Sequence, residues 1–371
     1  MRVALVHDHL AQDGGAERVV RVFQNMFPQA PLFTLLYNPD RAHPDFKGTD
    51  IRTSFLQRWP ASKRFYQWYL PMMPTAIERL DLRGYDVVIS SSASFAKGVI
   101  TDPQTLHLCY LHSPTRYLWN DTISYVNELP YPKFLRSIAP FYLNRIRQWD
   151  RLAAERVDDY VVNSALVRQR LWKYYRRPGT IIHPPVNVER FTVHRGPGSY
   201  YLAGGRLVPY KRFDLLVEAF NHLKLPLKIF GDGPELERLQ EKAKPNITFI
   251  GRVSDQDLND VYGGAIAFLN PQEEDFGITV VEAMATGRPV IAYGVGGAVE
   301  TVRPGVSGAL FQTQEWEAIA DTVIRFTPES YSPETIRSWA ETFSVERFSE
   351  AFRTHLKQAQ EHHHRTLNSL T

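Results

Sequence analysis

Two carboxylates, Glu274 and Glu282, stand eight positions apart in Glu274-Asp275-Phe276-Gly277-Ile278-Thr279-Val280-Val281-Glu282. A helix is expected over 278–286. It should stop at Gly287, because glycine accepts the left-handed backbone and Pro289 cannot continue the helix. Gly277 then lies where the first free N–H groups of a helix point into a loop, a place suited to an anion such as a diphosphate. Glu274 in the loop and Glu282 a turn and a half into the helix can hydrogen-bond hydroxyls on either side of that anion. The chemistry suggested is that of a nucleotide-diphosphate sugar. Taken singly, Glu282 reads equally as an exposed helix carboxylate and Glu274 as a solvated charge beside Glu273 and Asp275. The offset to Glu282 and the Phe-Gly pair select Glu274 from that acidic run. Ile278, Val281 and Ala285 recur at helical spacing and should face a sheet.

Other residues carry possible chemistry. Arg206 and Lys211 follow an expected strand, at the edge where α/β sheets place ligands, and two cations there could neutralise a leaving diphosphate. Gly14 and Gly15 suggest a tight turn before a helix, where the backbone could approach a phosphate or an acceptor. They do not form the G-x-G-x-x-G fingerprint, which argues against a nicotinamide enzyme. His112 ends an expected strand ahead of Ser113-Pro114-Thr115-Arg116-Tyr117-Leu118-Trp119 and is placed to reach a ligand; a satisfied histidine at a strand end is the plain alternative. Asp255-Gln256-Asp257 has the spelling of a metal-binding pair but opens an expected helix, where Asp is an ordinary capping choice. Metal-independent chemistry without a cofactor is expected.

The elements that must hold these groups form two alternating series. In the first half, strands are expected over 2–7, 86–91, 106–112 and 159–163, with helices over 17–26 and 141–156. A Pro- and Gly-rich stretch, 183–198, reads as a linker. In the second half, strands are expected over 200–203, 227–230, 247–250, 265–270 and 290–293. Helices fall between them over 213–223, 235–243, 255–262 and 278–286. Repeated βα units with Gly-marked turns indicate doubly wound parallel sheets, and 371 residues suffice for two domains. No apolar run approaches the ~20 residues of a membrane span. The first residues reach charge too soon for a signal peptide. Cys109 is the only cysteine, which excludes an intrachain disulfide and fits the cytoplasm.

The Glu274–Glu282 block resembles the E-x7-E signature of the retaining glycosyltransferases of family 4. Gly14-Gly15-Ala16-Glu17, Gly205-Arg206 through Lys211, Gly231-Asp232-Gly233-Pro234, Gly251-Arg252-Val253 and Gly296-Gly297 follow the family's order over nearly the whole chain. The resemblance implies a GT-B fold, two Rossmann-like domains facing each other across a cleft. These would be an acceptor-binding domain over 1–182, completed by a crossover helix from about 343 to 371, and a nucleotide-sugar domain over 183–342. The crossover helix is expected over 343–362, with His362-His363-His364 as a solvated tail.

By the same resemblance, the catalytic residues are His112, Arg206, Lys211 and Glu274. The donor-binding set is Gly15, Arg206, Lys211, Arg252, Val253, Glu274, Phe276, Gly277, Ile278, Thr279 and Glu282. The acceptor-binding set is Gly14, Gly15, His112 and Arg116. Arg116 could hold an acceptor carboxylate or phosphate, or be a structural cation packed on Tyr117 or Trp119. Arg212 departs from the glycine usual at that position. The run from His112 to Trp119 is similar to that of the bacterial O-antigen mannosyltransferases. The implied activity is therefore α-mannosyl transfer from GDP-mannose to a saccharide or lipid-linked acceptor. Alternatives are another donor such as UDP-glucose, a GT-B sugar-nucleotide epimerase, or an inactive glycan-binding protein.

Charge divides unevenly. Residues 1–180 carry 24 Lys and Arg against 16 Asp and Glu, a balance of +8, and the remainder balance to −5. An anionic partner for the first half is one reading and scattered solvated charge the other. Arg58, Lys63, Arg64 and Arg79 interleave with Phe55, Trp59, Phe65, Tyr66, Trp68 and Tyr69, which suits an anionic membrane surface and equally a core or acceptor-binding wall with cations along its rim. No nucleic-acid partner is expected.

Overall fold

The computed structural model describes residues 1–12, 14–60, 66–120, 122 and 133–370. The chain divides into two compact units, Met1–His183 with Ser349–Thr371, and Pro184–Phe348. Each unit is built on one parallel sheet, as repeated βα units require.

The first unit contains β1 (Val3–His7), β2 (Leu32–Thr34), β3 (Ile51–Thr53), β4 (Val87–Ser92), β5 (Leu106–Leu111), β6 (Asp159–Val162) and β7 (Thr180–Ile181). Their order is β3-β2-β1-β4-β5-β6-β7. Every residue of β4 and β5 is buried, as expected of central strands covered on both faces. The chain order reverses between β1 and β4, so a crevice opens beyond His7 and Ser92. The helix after β1 runs Gly15–Met26, two residues longer at its start than expected, because the Glu17 carboxylate accepts the Gly14 N–H at 3.0 Å. Its Phe23 packs on Phe352 of the last helix, with ring centroids 4.6 Å apart. That last helix spans Val345–Leu370, so the His362–His364 triple is helical rather than a tail.

The second unit contains β8 (Tyr200–Gly204), β9 (Leu227–Phe230), β10 (Ile247–Gly251), β11 (Ala265–Asn270), β12 (Val290–Tyr293) and β13 (Gly308–Phe311). Their order is β10-β9-β8-β11-β12-β13, with the reversal between β8 and β11. The helix Ile278–Ala285 is not the one-sided element expected from Ile278, Val281 and Ala285. Every residue from Val280 to Ala285 is buried, because Pro333–Ala340 packs beside it. The stretch 183–198 is no loose linker either. Val186 N donates to Phe343 O at 2.9 Å, and Arg337 Nη1 donates to the carbonyls of Val188 and Phe191 at 2.9 Å, pinning it to the second unit. No helix among the described residues is long and apolar enough to cross a membrane.

Candidate active site

In the second unit the chemistry collects at the ends of β8 and β11, beside the reversal in strand order. After β8 the chain turns through Gly204-Gly205 into a short 3-10 turn, Pro209–Lys211. The Lys211 ammonium doubles back over Gly205, where an added Cβ would lie 3.1 Å from it, and reaches Glu274 Oε1 at 3.1 Å. Gln272 Nε2 donates to the same oxygen at 3.1 Å. Arg206 is exposed, with no side-chain partner among the described residues. Arg212 sits at φ +55°, the left-handed conformation that a glycine adopts without strain. Its guanidinium instead grips Asp214 at 3.1 Å and Gln314 at 3.4 Å.

The loop carrying Glu274 is held by backbone. Gly297 N donates to Glu274 O at 2.7 Å, and a Cβ on Gly297 would lie 2.3 Å from Phe276 Cα, so only glycine lets the two loops meet. Gly277 then takes φ +92° and starts the helix. Val280 N bonds back to Gly277 O at 3.0 Å, which leaves the N–H groups of Ile278 and Thr279 as the outward first-turn donors. The anion site expected from the sequence falls at this helix start. The Phe276 ring is 4% exposed and packs on Phe343 in the core. Glu282 departs further from expectation. It is neither an exposed carboxylate nor a free one: it is 2% exposed, with Arg190 Nη2 at 2.7 Å from Oε1 and the Tyr262 hydroxyl at 3.2 Å from Oε2. Arg190 also pairs with Asp255 at 3.2 Å, so Asp255 is spoken for and the helix there begins only at Leu258.

Arg252 is exposed and pairs with Asp232 at 3.2 Å, bringing the loops after β9 and β10 together; Val253 lies half-buried against the core. Gly231, at φ +115°, approaches Gly205 so closely that a Cβ would lie 1.8 Å from its carbonyl oxygen. The Gly-ended strands thus crowd backbone, not side chains, into the sheet edge that faces Lys211.

In the first unit, His112 follows β5. Its Nε2 lies 2.7 Å from Ser91 Oγ, and burial, with the charge of His7 adding, pushes its pKa down to about 4. Gly14 and Gly15 form no tight turn: Gly14 is extended at φ −127°, and Gly15 is the first helical residue. Arg116 opens the short helix Arg116–Trp119 and is half-buried, while the cation over the Trp119 ring at 5.9 Å is Arg147.

Sequence reasoning missed a buried pair in the same unit. Lys97 Nζ lies 2.5 Å from Asp150 Oδ1, both side chains being sealed from solvent. Thr115, Trp119 and Tyr175 complete the carboxylate's shell at 2.8, 2.7 and 2.6 Å. It missed Arg190, and also Asp8, whose carboxylate accepts four backbone N–H groups. Large sequence separations hid these partners. No group of three or more His, Cys, Asp or Glu placed to hold a metal occurs among the described residues.

Comparison with known proteins covers both units. Residues 13–190 match the model for Glycosyltransferase Family 4, and residues 189–363 match that for Glycosyl transferases group 1. An uncharacterised glycosyltransferase of Methanocaldococcus jannaschii is 25% identical over 203 residues, covering 53% of this chain and 58% of that protein. A GDP-mannose-dependent alpha-mannosyltransferase of Corynebacterium glutamicum is 32% identical over 114 residues, covering 30% and 27%. The chain thus spans less than two thirds of either relative. Anabaena HepE, solved in complex with UDP, superposes with a TM-score of 0.71 at 15% identity, over 96% of this chain and 100% of that one. With its two doubly wound parallel sheets, the chain has the GT-B fold, and its two halves match two glycosyltransferase families in succession.

Proposed function

We propose that the chain is a retaining α-mannosyltransferase that moves mannose from GDP-mannose onto a saccharide or lipid-linked saccharide. The observation that carries the nucleotide-sugar half of this proposal is the meeting of Lys211, Glu274 and the helix start at Gly277 at one sheet edge. Mannose as the sugar is supported by the Corynebacterium glutamicum relative's dependence on GDP-mannose. The diphosphate binds Arg206, Lys211 and the N–H groups of Ile278 and Thr279, and Glu274 exchanges its ion pair with Lys211 for hydroxyls of the donor sugar. Arg252 and Val253 lie at the base, and Glu282 at the ribose. His112 and Arg116 serve the acceptor side.

Transfer is front-faced and needs no metal. The bond from the anomeric carbon to the diphosphate breaks, the acceptor oxygen bonds to the same face, and the leaving diphosphate takes the acceptor's proton. Fixed cations stabilise that developing charge. Thermal-shift screening of GDP, UDP and ADP with their sugar conjugates tests the donor, since a ligand at 100 times its dissociation constant stabilises by about 2.7 kcal/mol. GDP and GDP-mannose are expected to raise the unfolding temperature most. NMR of the product's anomeric centre tests the stereochemistry, and a β-linked product rules out retention.

A further inference from the structure

The end of β1 carries three ionisable residues in succession, His7, Asp8 and His9, which the proposed chemistry leaves unused. Asp8 is already committed. Its buried carboxylate accepts the backbone N–H groups of Ala93, Ser94, Phe95 and Ala96 at 2.7, 3.0, 2.6 and 2.6 Å, stitching β1 to the turn after β4.

His7 is more informative. Its side chain is 2% exposed, and its Nδ1 lies 3.0 Å from the Ser91 carbonyl oxygen. A carbonyl only accepts, so Nδ1 carries a hydrogen. Nε2 faces Glu17 Oε1 at 3.8 Å, an ion-pair distance rather than a hydrogen bond, and Glu17 is itself 2% exposed. A ring with acceptors on both sides is stabilised as the imidazolium. Ser91, whose carbonyl receives His7, turns its hydroxyl to His112 Nε2 at 2.7 Å. Glu17, His7, Ser91 and His112 therefore form one chain of contacts.

We propose that Glu17 and His7 are positioning residues for His112: their buried carboxylate–imidazolium pair anchors Ser91, whose hydroxyl holds His112 in one orientation as a neutral imidazole for a saccharide hydroxyl. This rests on the placing of His112 on the acceptor side. A neutral ring donates or accepts one hydrogen bond there without placing a second charge beside the saccharide.

The charged groups facing His7 agree with this. Burial disfavours its charged form, but the Glu17 carboxylate, the Asp8 charge and the Ser91 carbonyl outweigh it and raise its pKa above the usual 6.5. Burial likewise opposes ionisation of Glu17, yet His7 holds that carboxyl down to about 2. His9, the remaining neighbour, is lowered by burial.

The test uses imidazole ¹H–¹⁵N spectra of the full chain across pH, in wild type, His7→Gln, Glu17→Gln and Ser91→Ala. In wild type His7 should titrate above the usual 6.5, and His112 should stay neutral down to about pH 4. In Glu17→Gln the His7 titration should move down, and in His7→Gln, which keeps a donor for the Ser91 carbonyl, the His112 titration should move up. Ser91→Ala should lower kcat about 10–100-fold with the donor KM unchanged. A His7 that titrates at or below 6.5 in wild type overturns the inference, as does a His112 titration identical in wild type and His7→Gln. If His7→Gln does not fold, the His7 titration in Glu17→Gln decides in its place. Absence of sugar transfer by a wild type that gives the expected spectra is a failure of the proposed function instead.

Discussion

Arg206 and Lys211 meet a substrate from different starting points. Lys211 already neutralises Glu274 at 3.1 Å, whereas Arg206 lies exposed with no side-chain partner among the described residues. Replacing either with Ala should lower turnover about 10²–10³-fold, the scale of removing a fixed stabiliser of transition-state charge. Arg206→Ala should leave the unfolding temperature unchanged, while Lys211→Ala should also loosen the Glu274 loop; steady-state kinetics beside thermal melts check both. Near-normal turnover in either variant removes that residue from the leaving-group role. Buried histidines set a second expectation. Burial, with Arg156 adding, pushes His107 down to about 3, and His112 is down at about 4, so both are neutral in the fold and charge on unfolding below about pH 6.5. Their contribution is present above 6.5 and is lost as pH falls toward 4, on the order of several kcal/mol together. His7 runs the other way, because its raised pKa stabilises the fold below 6.5 and is lost as pH rises through the folded value. With three histidines lowered, His9 among them, against one raised, the unfolding temperature should drop between pH 6.5 and 4. A flat profile over that range counts against neutral burial.

At the scale of elements, one buried pair fixes how several pieces of the first unit meet. Lys97 follows β4, Asp150 lies on the helix Lys133–Glu155, and Thr115, Trp119 and Tyr175 bring in the loop after His112 and the helix Ala165–Tyr175. Lys97→Met should cost about 3–5 kcal/mol, because it leaves a buried carboxylate without its counter-charge. Urea unfolding checks this, a lower midpoint at unchanged slope being expected. How far such elements can be read from sequence follows from their length and burial. β1, β4, β5, β8, β9, β11 and β12 appear in the sequence as apolar runs within a residue or two of their observed ends. β2, β3 and β7 span only three, three and two residues, too few for a period to declare itself. The Glu274 loop was legible because Gly277 and Gly287 punctuate it. The surroundings of Glu282 were not, since Arg190 lies 92 residues away and no local pattern announces a distant partner.

At the scale of the whole molecule, the +8 balance of residues 1–180 invites an anionic surface, and the described residues show which side chains could meet one. The aromatic run divides. Phe55 and Tyr69 pack against the first unit's core, and Trp59 meets Tyr69 edge-on at 5.3 Å. Trp68 is 66% exposed and Trp59 38%. Arg79 is stacked over Phe55 at 5.6 Å, while Lys63, Arg64 and Phe65 lie outside the described residues, as does the Tyr66 side chain. Two exposed tryptophans, Trp59 with the exposed Arg58 next to it in the chain, suit the headgroup zone of a bilayer, where each basic group gains about 1 kcal/mol near an anionic leaflet. With no helix among the described residues able to span a membrane, such attachment is peripheral and reversible. Co-sedimentation with liposomes should therefore rise with the fraction of anionic lipid and fall as salt screens the charges. Changing Arg58, Lys63 and Arg64 together to Ser should weaken binding at every lipid composition, and Trp68→Ser should weaken it even at high salt, where the apolar contribution remains. Wild type that ignores anionic liposomes at low salt removes the membrane from the proposal and leaves a soluble saccharide as the acceptor.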